Sequence, residues 1–168
     1  MKTLTPLYFL LMSLVCTGVD VSRAESPSHV ATSPDSVEYL TMAREFYSGA
    51  IKQENLVITN PKEWKAVWRK VYANMRPRPR LPRIRFQKEM VIGVFAGELP
   101  TGGYAIEVIE VTHTAGTLTI TVKNSSPGRH CGVTMALTQP VHLVKVKKLE
   151  YKEVDFVEVK HVNTCKLR

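Results

Sequence analysis

The sequence predicts a mainly β fold: a single-domain β-sandwich or partly closed barrel with one N-terminal α-helix packed on it. Three observations lead to this prediction. Met90 to Phe95 is an unbroken apolar run, Thr117 to Lys123 alternates polar and apolar residues, and one well-capped helix begins near Asn60. Strict alternation is typical of a strand with one solvated face, whereas an unbroken apolar run is typical of a strand covered on both faces.

The first 24 residues have the pattern of a signal peptide. Lys2 precedes an apolar stretch from Leu4 to Val15, which is too short for a stable membrane-spanning helix. Ser22-Arg23-Ala24 then places small residues at the two positions that a signal peptidase reads. We therefore expect residues 1–24 to be removed on export, which would leave the protein in the periplasm, on the cell surface or secreted.

Residues 25–36 are rich in Ser, Pro and Thr and predict a disordered leader before a domain at 37–168. No later apolar run is long enough to span a membrane. An uncleaved N-terminal anchor is the alternative to a signal peptide. Lipidation of Cys16 is a weaker alternative, because Val15 stands where a small residue is expected. The chain is basic, with a net charge of +8.

The helix begins at a recognisable start signal. Asn60 can cap the first free amides, Pro61 suits the first helical position, and Glu63 completes a capping box. An apolar stripe follows at helical spacing, formed by Trp64, Val67, Trp68 and Val71. We interpret the stripe as the face that packs on a sheet; a binding site for an aromatic ligand is the alternative. A short amphipathic helix is also predicted from Val37 to Tyr47.

About six strands are predicted after the helix, and Leu56-Val57-Ile58 predicts a short one before it. From Tyr104 to Val111 the apolar phase slips at Ile109, which indicates a bulge. The remaining predicted strands are Glu89–Ala96, the alternating stretch, Val133–Leu137, Val141–Val146 and Val154–Val159. The predicted core residues are Trp64, Trp68, Ile92, Val94, Ile106, Leu118, Ile120 and Val122.

Two cysteines remain after signal cleavage, Cys131 and Cys165. An even pair in an exported chain favours a disulfide over two free thiols. Such a bond would close a loop of about 35 residues and contribute roughly 3–4 kcal/mol in the chain-entropy description.

The sequence argues against an enzyme, and we assign no catalytic residue, metal or cofactor. Cys131 follows His130, but adjacent residues on a strand point to opposite faces, so the pair is badly placed for proton transfer. The histidines His113, His130, His142 and His161 occur singly, without the spacing of zinc motifs, and we interpret them as surface or edge-strand residues. Gly102-Gly103 lacks the lysine and the following helix of a phosphate-binding loop.

An arginine–proline segment between Met75 and Arg85 is one candidate binding site. Its prolines predict an extended, polyproline-like chain, and its guanidinium groups suit phosphate, sulfated glycan or acidic protein surfaces. No aromatic stacking pattern accompanies it, so we expect no nucleic-acid partner. The alternative is a solvated linker along a sheet edge. The candidate residues are Arg76, Arg78, Arg80, Arg83 and Arg85.

The loop after the Met90 strand is the main candidate binding site. Pro100 fixes one backbone dihedral, while Gly102 and Gly103 permit positive φ and close approach of another backbone. Thr101 offers a hydroxyl, and Tyr104 places a large amphipathic ring at the start of the next strand. We expect a rigid hairpin tip held outward to bind another protein. The alternative is a tight connection whose tyrosine only covers the core.

An ordered set of motifs follows along the chain: Glu63-Trp64…Trp68, Phe86–Ile92, Gly97–Tyr104, Ser126-Pro127, Cys131 and Thr138–Val141 before Lys145-Val146. This set resembles the C-terminal domain of the PrcB family of secreted or lipid-anchored bacterial proteins. The family is named for a subunit of a surface protease complex. The resemblance implies an accessory or stabilising role and a secreted or surface protease as partner. Arg85 stands where the family pattern has an acidic residue, so a contact made by that acid is not expected here.

A more distant likeness connects the Pro100–Tyr104 loop to chagasin-type inhibitors of cysteine proteases. Their Asn-Pro-Thr-Thr-Gly-Tyr loop lies on an immunoglobulin-like sandwich. Here Leu99 replaces Asn and Gly102 replaces the second Thr, and the other inhibitor loops are not clearly present. Protease inhibition and polyanion binding are therefore the alternatives to an exported, non-catalytic protein-binding module. The oligomeric state stays open.

Overall fold

The computed structural model describes residues 35–165. The predicted signal peptide lies outside these residues, as does most of the predicted leader, whose last two residues, Asp35 and Ser36, pair with the main domain. The described chain forms β1 Tyr39–Glu45, β2 Gln53–Ile58, α1 Pro61–Val71, β3 Glu89–Ala96, β4 Ala105–Thr114, β5 Thr117–Pro127, β6 Val141–Lys147 and β7 Glu153–Asn163.

The strands form two sheets, and the mainly β prediction is confirmed. The order is β1-β6-β3-β2 in the four-stranded sheet and β4-β5-β7 in the three-stranded sheet. Neighbouring strands run antiparallel, except that β7 pairs parallel with β5. Within residues 35–165 the sheets do not close into a barrel, so the sandwich is the correct one of the two predicted architectures.

The core has two apolar layers, and β3 contributes to both. Ile92 and Val94 face the three-stranded sheet, while Val91 and Phe95 face α1 on the other side. All four are fully buried, which explains the unbroken apolar run in the sequence. The eight predicted core residues are each no more than 4% exposed.

Helix α1 begins where the sequence predicts. Oδ1 of Asn60 accepts a hydrogen bond from the amide of Glu63 at 3.0 Å, and Pro61 takes the first helical position. The tryptophan stripe is buried against the four-stranded sheet. Capping and stripe together set both the start and the orientation of the helix.

The predicted helix at Val37–Tyr47 is wrong. This stretch contains β1, which pairs antiparallel with β6 from Tyr39↔Val146 to Glu45↔Val141. The register shifts between Thr41 and Ala43. Because a bulge adds one residue to the strand, it interrupts the period of two by which a strand is recognised.

The predicted strand at Val133–Leu137 is also wrong. The chain from 128 to 140 connects β5 to β6 without forming a strand, and Met135 and Leu137 are exposed. Apolar alternation alone does not form a strand when no neighbouring strand edge pairs with it. By contrast, the predicted bulge in β4 is confirmed, because the register with β5 shifts between Val108 and Glu110.

Candidate functional site

The candidate loop Pro100–Tyr104 joins the two sheets. It leaves β3 of the four-stranded sheet and enters β4 of the three-stranded sheet. The expected hairpin tip is therefore wrong, because β3 and β4 are not paired with each other. The loop is an arch across one end of the sandwich, and we call that end the loop end. There β1, β3, β5 and β7 finish and β2, β4 and β6 begin.

A second loop, residues 128–140, lies against the arch. The amide of Gly102 donates a hydrogen bond to the carbonyl oxygen of Thr134 at 2.9 Å. The Thr138 hydroxyl donates to the carbonyl oxygen of Thr101 at 2.8 Å. Leu99 and Thr138 also exchange two backbone hydrogen bonds of 2.8 and 3.0 Å. The arch is thus held by backbone groups and one buried threonine.

Both glycines of the arch are required by its geometry. A Cβ on Gly102, which is buried, would collide with the Oγ1 of Thr134. Gly103 has a φ of +84°, and a Cβ there would lie 3.0 Å from the Cβ of Pro127. The sequence-based expectation of a positive φ and of close backbone approach is confirmed, with the close approach made by this chain's own second loop.

The predicted disulfide is present and fastens the second loop. Cys131 is bonded to Cys165, with their Cα atoms 5.1 Å apart. Asn163, at the end of β7, donates from Nδ2 to the carbonyl oxygen of Gly103 at 3.5 Å. The end of β7, the 128–140 loop and the arch are therefore connected to one another.

Tyr104 is half-buried and stands between two grooves. One groove, of about 430 Å³, lies between the arch and the side chains of Phe46 and Tyr47. The other, of about 420 Å³, lies toward Gln53 of β2 and Val162 of β7. Because Tyr104 lines both grooves, a partner could approach this residue from two sides.

Exposed apolar side chains surround the arch. Seven large apolar side chains of the described chain are at least half exposed, and six of them lie at the loop end. Hydrogen bonds or shared groove walls connect the segments that carry them to the arch or to the 128–140 loop. The six are Phe46, Tyr47, Ile51, Met135, Leu137 and Val162.

Sequence reasoning missed these six residues. Tyr47 and Phe46 fell in a predicted helix, and Met135 and Leu137 in a predicted strand, where an apolar side chain is expected to face a core. The adjacent aromatic pair Phe46-Tyr47 was the one local signal, because two neighbouring residues at the end of a strand cannot both point inward.

The arginine–proline segment is not brought to the arch. It runs along α1, where the indole Nε1 of Trp68 donates to the carbonyl oxygen of Pro79 at 3.0 Å. The indole Nε1 of Trp64 likewise donates a hydrogen bond to the carbonyl oxygen of Pro82 at 2.9 Å. The two candidate sites of the sequence are thus separate surfaces.

The groups considered for catalysis are dispersed. Cys131 is tied up in the disulfide, and its neighbour His130 is exposed. Within residues 35–165, no group of three or more His, Cys, Asp or Glu side chains is arranged to hold a metal ion. In the same part of the chain, no helix has the length and apolar character needed to cross a membrane.

His142 differs from its sequence interpretation as a surface or edge-strand residue. It lies on the interior strand β6 and is 2% exposed. Its Nδ1 accepts from the amide of Val108 at 3.0 Å, and its Nε2 lies 3.0 Å from the Thr41 hydroxyl. Burial, with the Arg44 guanidinium as a smaller cause, lowers the pKa of His142 to about 4, and nearby Glu107 opposes this shift. The ring is a neutral link between the sheets.

Comparison with known proteins gives one family. Residues 90–147 match the family model described as PrcB C-terminal. No curated protein and no solved structure matches the chain. The matched segment runs from β3 to the end of β6 and so contains both the arch and the 128–140 loop. The resemblance noted in the sequence is confirmed over these residues, which are similar to the PrcB C-terminal family.

Proposed function

We propose that this protein is an exported, non-catalytic accessory subunit of a protease complex, and that it binds its partner through the loop end. The observation that carries the proposal is the concentration of exposed apolar side chains around the arch. Soluble domains seldom leave such groups together without a partner. Tyr47 and Tyr104 are also of a residue type that dominates binding energy at protein interfaces, and Phe46 is of a type enriched in interface cores.

The arch is suited to binding because it is ordered in advance. Its hydrogen bonds to Thr134 and Thr138, and the disulfide behind them, fix its backbone within the domain itself. A rigid loop loses little conformational entropy when a partner docks, so more of the contact energy appears as affinity. The apolar grooves on both sides of Tyr104 would receive side chains of the partner.

The kind of partner follows from the family. The PrcB C-terminal match includes the arch and the loop against it. The resemblance implies a secreted or surface protease as the protein that docks there. Removal of the predicted signal peptide would bring this protein outside the cytoplasm, where such a protease would meet it. Mass spectrometry of the exported protein should then find Glu25 as its first residue.

Site-specific photocrosslinking in cells tests this proposal. A photoreactive residue at Met135, which is 89% exposed at the loop end, should give a discrete adduct that contains a protease or its complex. The matched control is Leu40, which is 58% exposed near the opposite end of β1. Equal adducts from both positions, or an adduct of Met135 without any protease component, would overturn the proposal.

The captured protease then allows a quantitative test. Phe46→Ser with Tyr47→Ser should weaken its binding at least about tenfold, whereas Leu40→Ser should not. All three side chains are at least half exposed, so the melting temperatures of the variants should equal that of the wild type. Equal melting temperatures would show that the variants are folded. Added protein should preserve the activity of the protease over time. If the added protein instead abolishes the protease activity, the accessory role is wrong and the protein is an inhibitor, as the chagasin likeness implies.

A further inference from the structure

The arginine–proline segment is held in one conformation by the helix beneath it. The Trp64 and Trp68 rings are 2% and 4% exposed, and their indole N–H groups bind carbonyl oxygens of Pro82 and Pro79. These carbonyls are three residues apart, which is the repeat of a polyproline-type chain. The conformational entropy of the segment is therefore lost when the protein folds, and little more is lost when a ligand binds.

Its arginines have almost no acidic partners. Arg76 and Arg78 donate only to backbone carbonyl oxygens. Among the five arginines, and within residues 35–165, only Arg85 comes within ion-pair distance of a carboxylate, at 3.6 Å from Glu89, and its own side chain is 69% exposed. Most of the positive charge of the segment is therefore not neutralised by the protein.

Arg80 and Arg83 form the centre of this charge. Both are exposed, and both line a surface depression of about 530 Å³ with Leu81 and Pro82. In a polyproline-type chain, which rises about 3.1 Å per residue, residues three apart share a face at a spacing of about 9 Å. Because Arg80 and Arg83 line the same depression, both can offer a guanidinium group to one extended ligand.

The charge continues onto the end of the sandwich opposite the loop end. Arg85, Lys88 and Lys147 line one groove of about 380 Å³ at the start of β3 and the end of β6. Two carboxylates also line this groove, Glu38 and Glu89, and Glu89 pairs with Lys145, whose Nζ lies 2.8 Å from Oε1. We call the combined surface the basic face, formed by Arg76, Arg78, Arg80, Arg83, Arg85, Lys88 and Lys147.

We propose that the basic face binds a linear polyanion that carries sulfate or phosphate groups along its length. Guanidinium groups pair with such anions through two parallel hydrogen bonds, and their spacing along an extended chain fits repeated anionic groups. The site is separate from the arch, so this proposal does not rest on the proposed function. Bound to such a polymer, the protein keeps its loop end free for another protein.

Other anionic partners fit this surface less well. Single-stranded nucleic acid needs exposed aromatic rings for stacking, but Trp64, Trp68, Tyr72 and Phe86 beside the segment are no more than 9% exposed. A lipid surface favours a continuous apolar patch, and here Met75 and Leu81 are only 43% and 39% exposed.

Heparin binding measured by calorimetry at several salt concentrations tests the proposal, with heparin as the sulfated probe. Arg80→Ser with Arg83→Ser should weaken binding about tenfold at moderate salt and reduce the salt slope by about two. The matched control is Arg129→Ser with Lys160→Ser, which removes the same charge from exposed residues at the loop end. If both double variants lose the same affinity for heparin, net charge alone accounts for binding and the proposed site is wrong.

Two further measurements keep the outcome decisive. Arg80→Lys with Arg83→Lys conserves charge but removes the fork, so its affinity should lie between those of the wild type and the serine variant. The wild type should bind heparin more tightly than inorganic phosphate, single-stranded DNA or vesicles of anionic phospholipid. If the protein binds any of these three more tightly than heparin, a linear sulfated or phosphorylated polymer is not its preferred ligand.

Discussion

The amide of Val108 donates a hydrogen bond to Nδ1 of His142, 3.0 Å away, and so joins β4 of one sheet to β6 of the other. Because the amide is a donor, Nδ1 must be unprotonated, and Nε2 carries the proton toward the Thr41 hydroxyl. The carbonyl oxygen of Val108 accepts from the Tyr39 hydroxyl at 3.0 Å. Val108 lies within β4, the edge strand of its sheet, and both its amide and its carbonyl group are hydrogen-bonded to side chains of the opposite sheet.

This arrangement predicts a loss of stability in acid. The folded His142 has a pKa of about 4, below the usual value near 6.5, so as the pH falls from 6.5 the unfolded chain takes up a proton that the folded chain does not. The free energy of unfolding should therefore fall by up to about 1.4 kcal/mol per pH unit between pH 6.5 and 4 from this residue.

Denaturant titrations of the wild type and His142→Gln at several pH values check this prediction. Glutamine can accept from Val108 but cannot gain a charge, so the comparison of the two proteins isolates the contribution of the His142 proton. The difference between the two unfolding free energies should shrink as the pH falls. A difference that stays constant from pH 7 to 4 would show that His142 does not titrate as described.

Gly103→Ala should destabilise the protein by about 1–2 kcal/mol, because its φ of +84° is unfavourable for any residue with a Cβ. The new methyl group would also lie 3.1 Å from Cγ1 of Val133. Gly132→Ala in the neighbouring loop is the control, since a Cβ there meets nothing within 4 Å. Thermal unfolding should separate the two variants, and equal melting temperatures would contradict the strain at Gly103.

Removal of the disulfide should loosen the arch. Cys131→Ser with Cys165→Ser removes a cross-link across 34 residues, which costs about 3–4 kcal/mol in the chain-entropy description. The amide of Gly102 should then exchange its hydrogen faster, because its acceptor Thr134 lies on the loop that is released. The amide of Ile92 in the core serves as the reference. Equal acceleration at both amides would indicate global destabilisation without local release.

Trp68→Phe should free the arginine–proline segment. The change keeps an aromatic ring in the core but removes the hydrogen bond to Pro79, worth about 1 kcal/mol. Trypsin should then cleave faster after Arg80 and Arg83, because neither arginine is followed by a proline that would block cleavage.

Tyr72→Phe is the control for this experiment. It loses the hydrogen bond from the tyrosine hydroxyl to Glu45 of β1 at 2.9 Å, but keeps the Tyr72 backbone carbonyl to which Arg78 of the segment donates. Limited digestion should show faster cleavage in the tryptophan variant alone. Cleavage that accelerates equally in both variants would mean that the indole contacts do not anchor the segment.

Local sequence determined the features that depend on neighbouring residues. Asn60 and Pro61 set the start of α1, because capping acts within one turn. The alternation through Leu118, Ile120 and Val122 predicted which side of β5 is buried. The glycine pair of the arch was likewise readable from residue type. The number of cysteines favoured a disulfide, but the proximity of Cys131 and Cys165 was shown by the structure.

Tertiary structure decided which distant segments meet. The sequence did not show that β3 and β4 belong to different sheets, or that Phe46 and Met135 would lie beside the same arch. It also did not show that His142 is buried or that two tryptophans hold the arginine–proline segment. These relationships join residues far apart in the chain, and hydrophobic spacing records only which face of an element is apolar. What covers that face depends on strand pairing and packing across the whole domain.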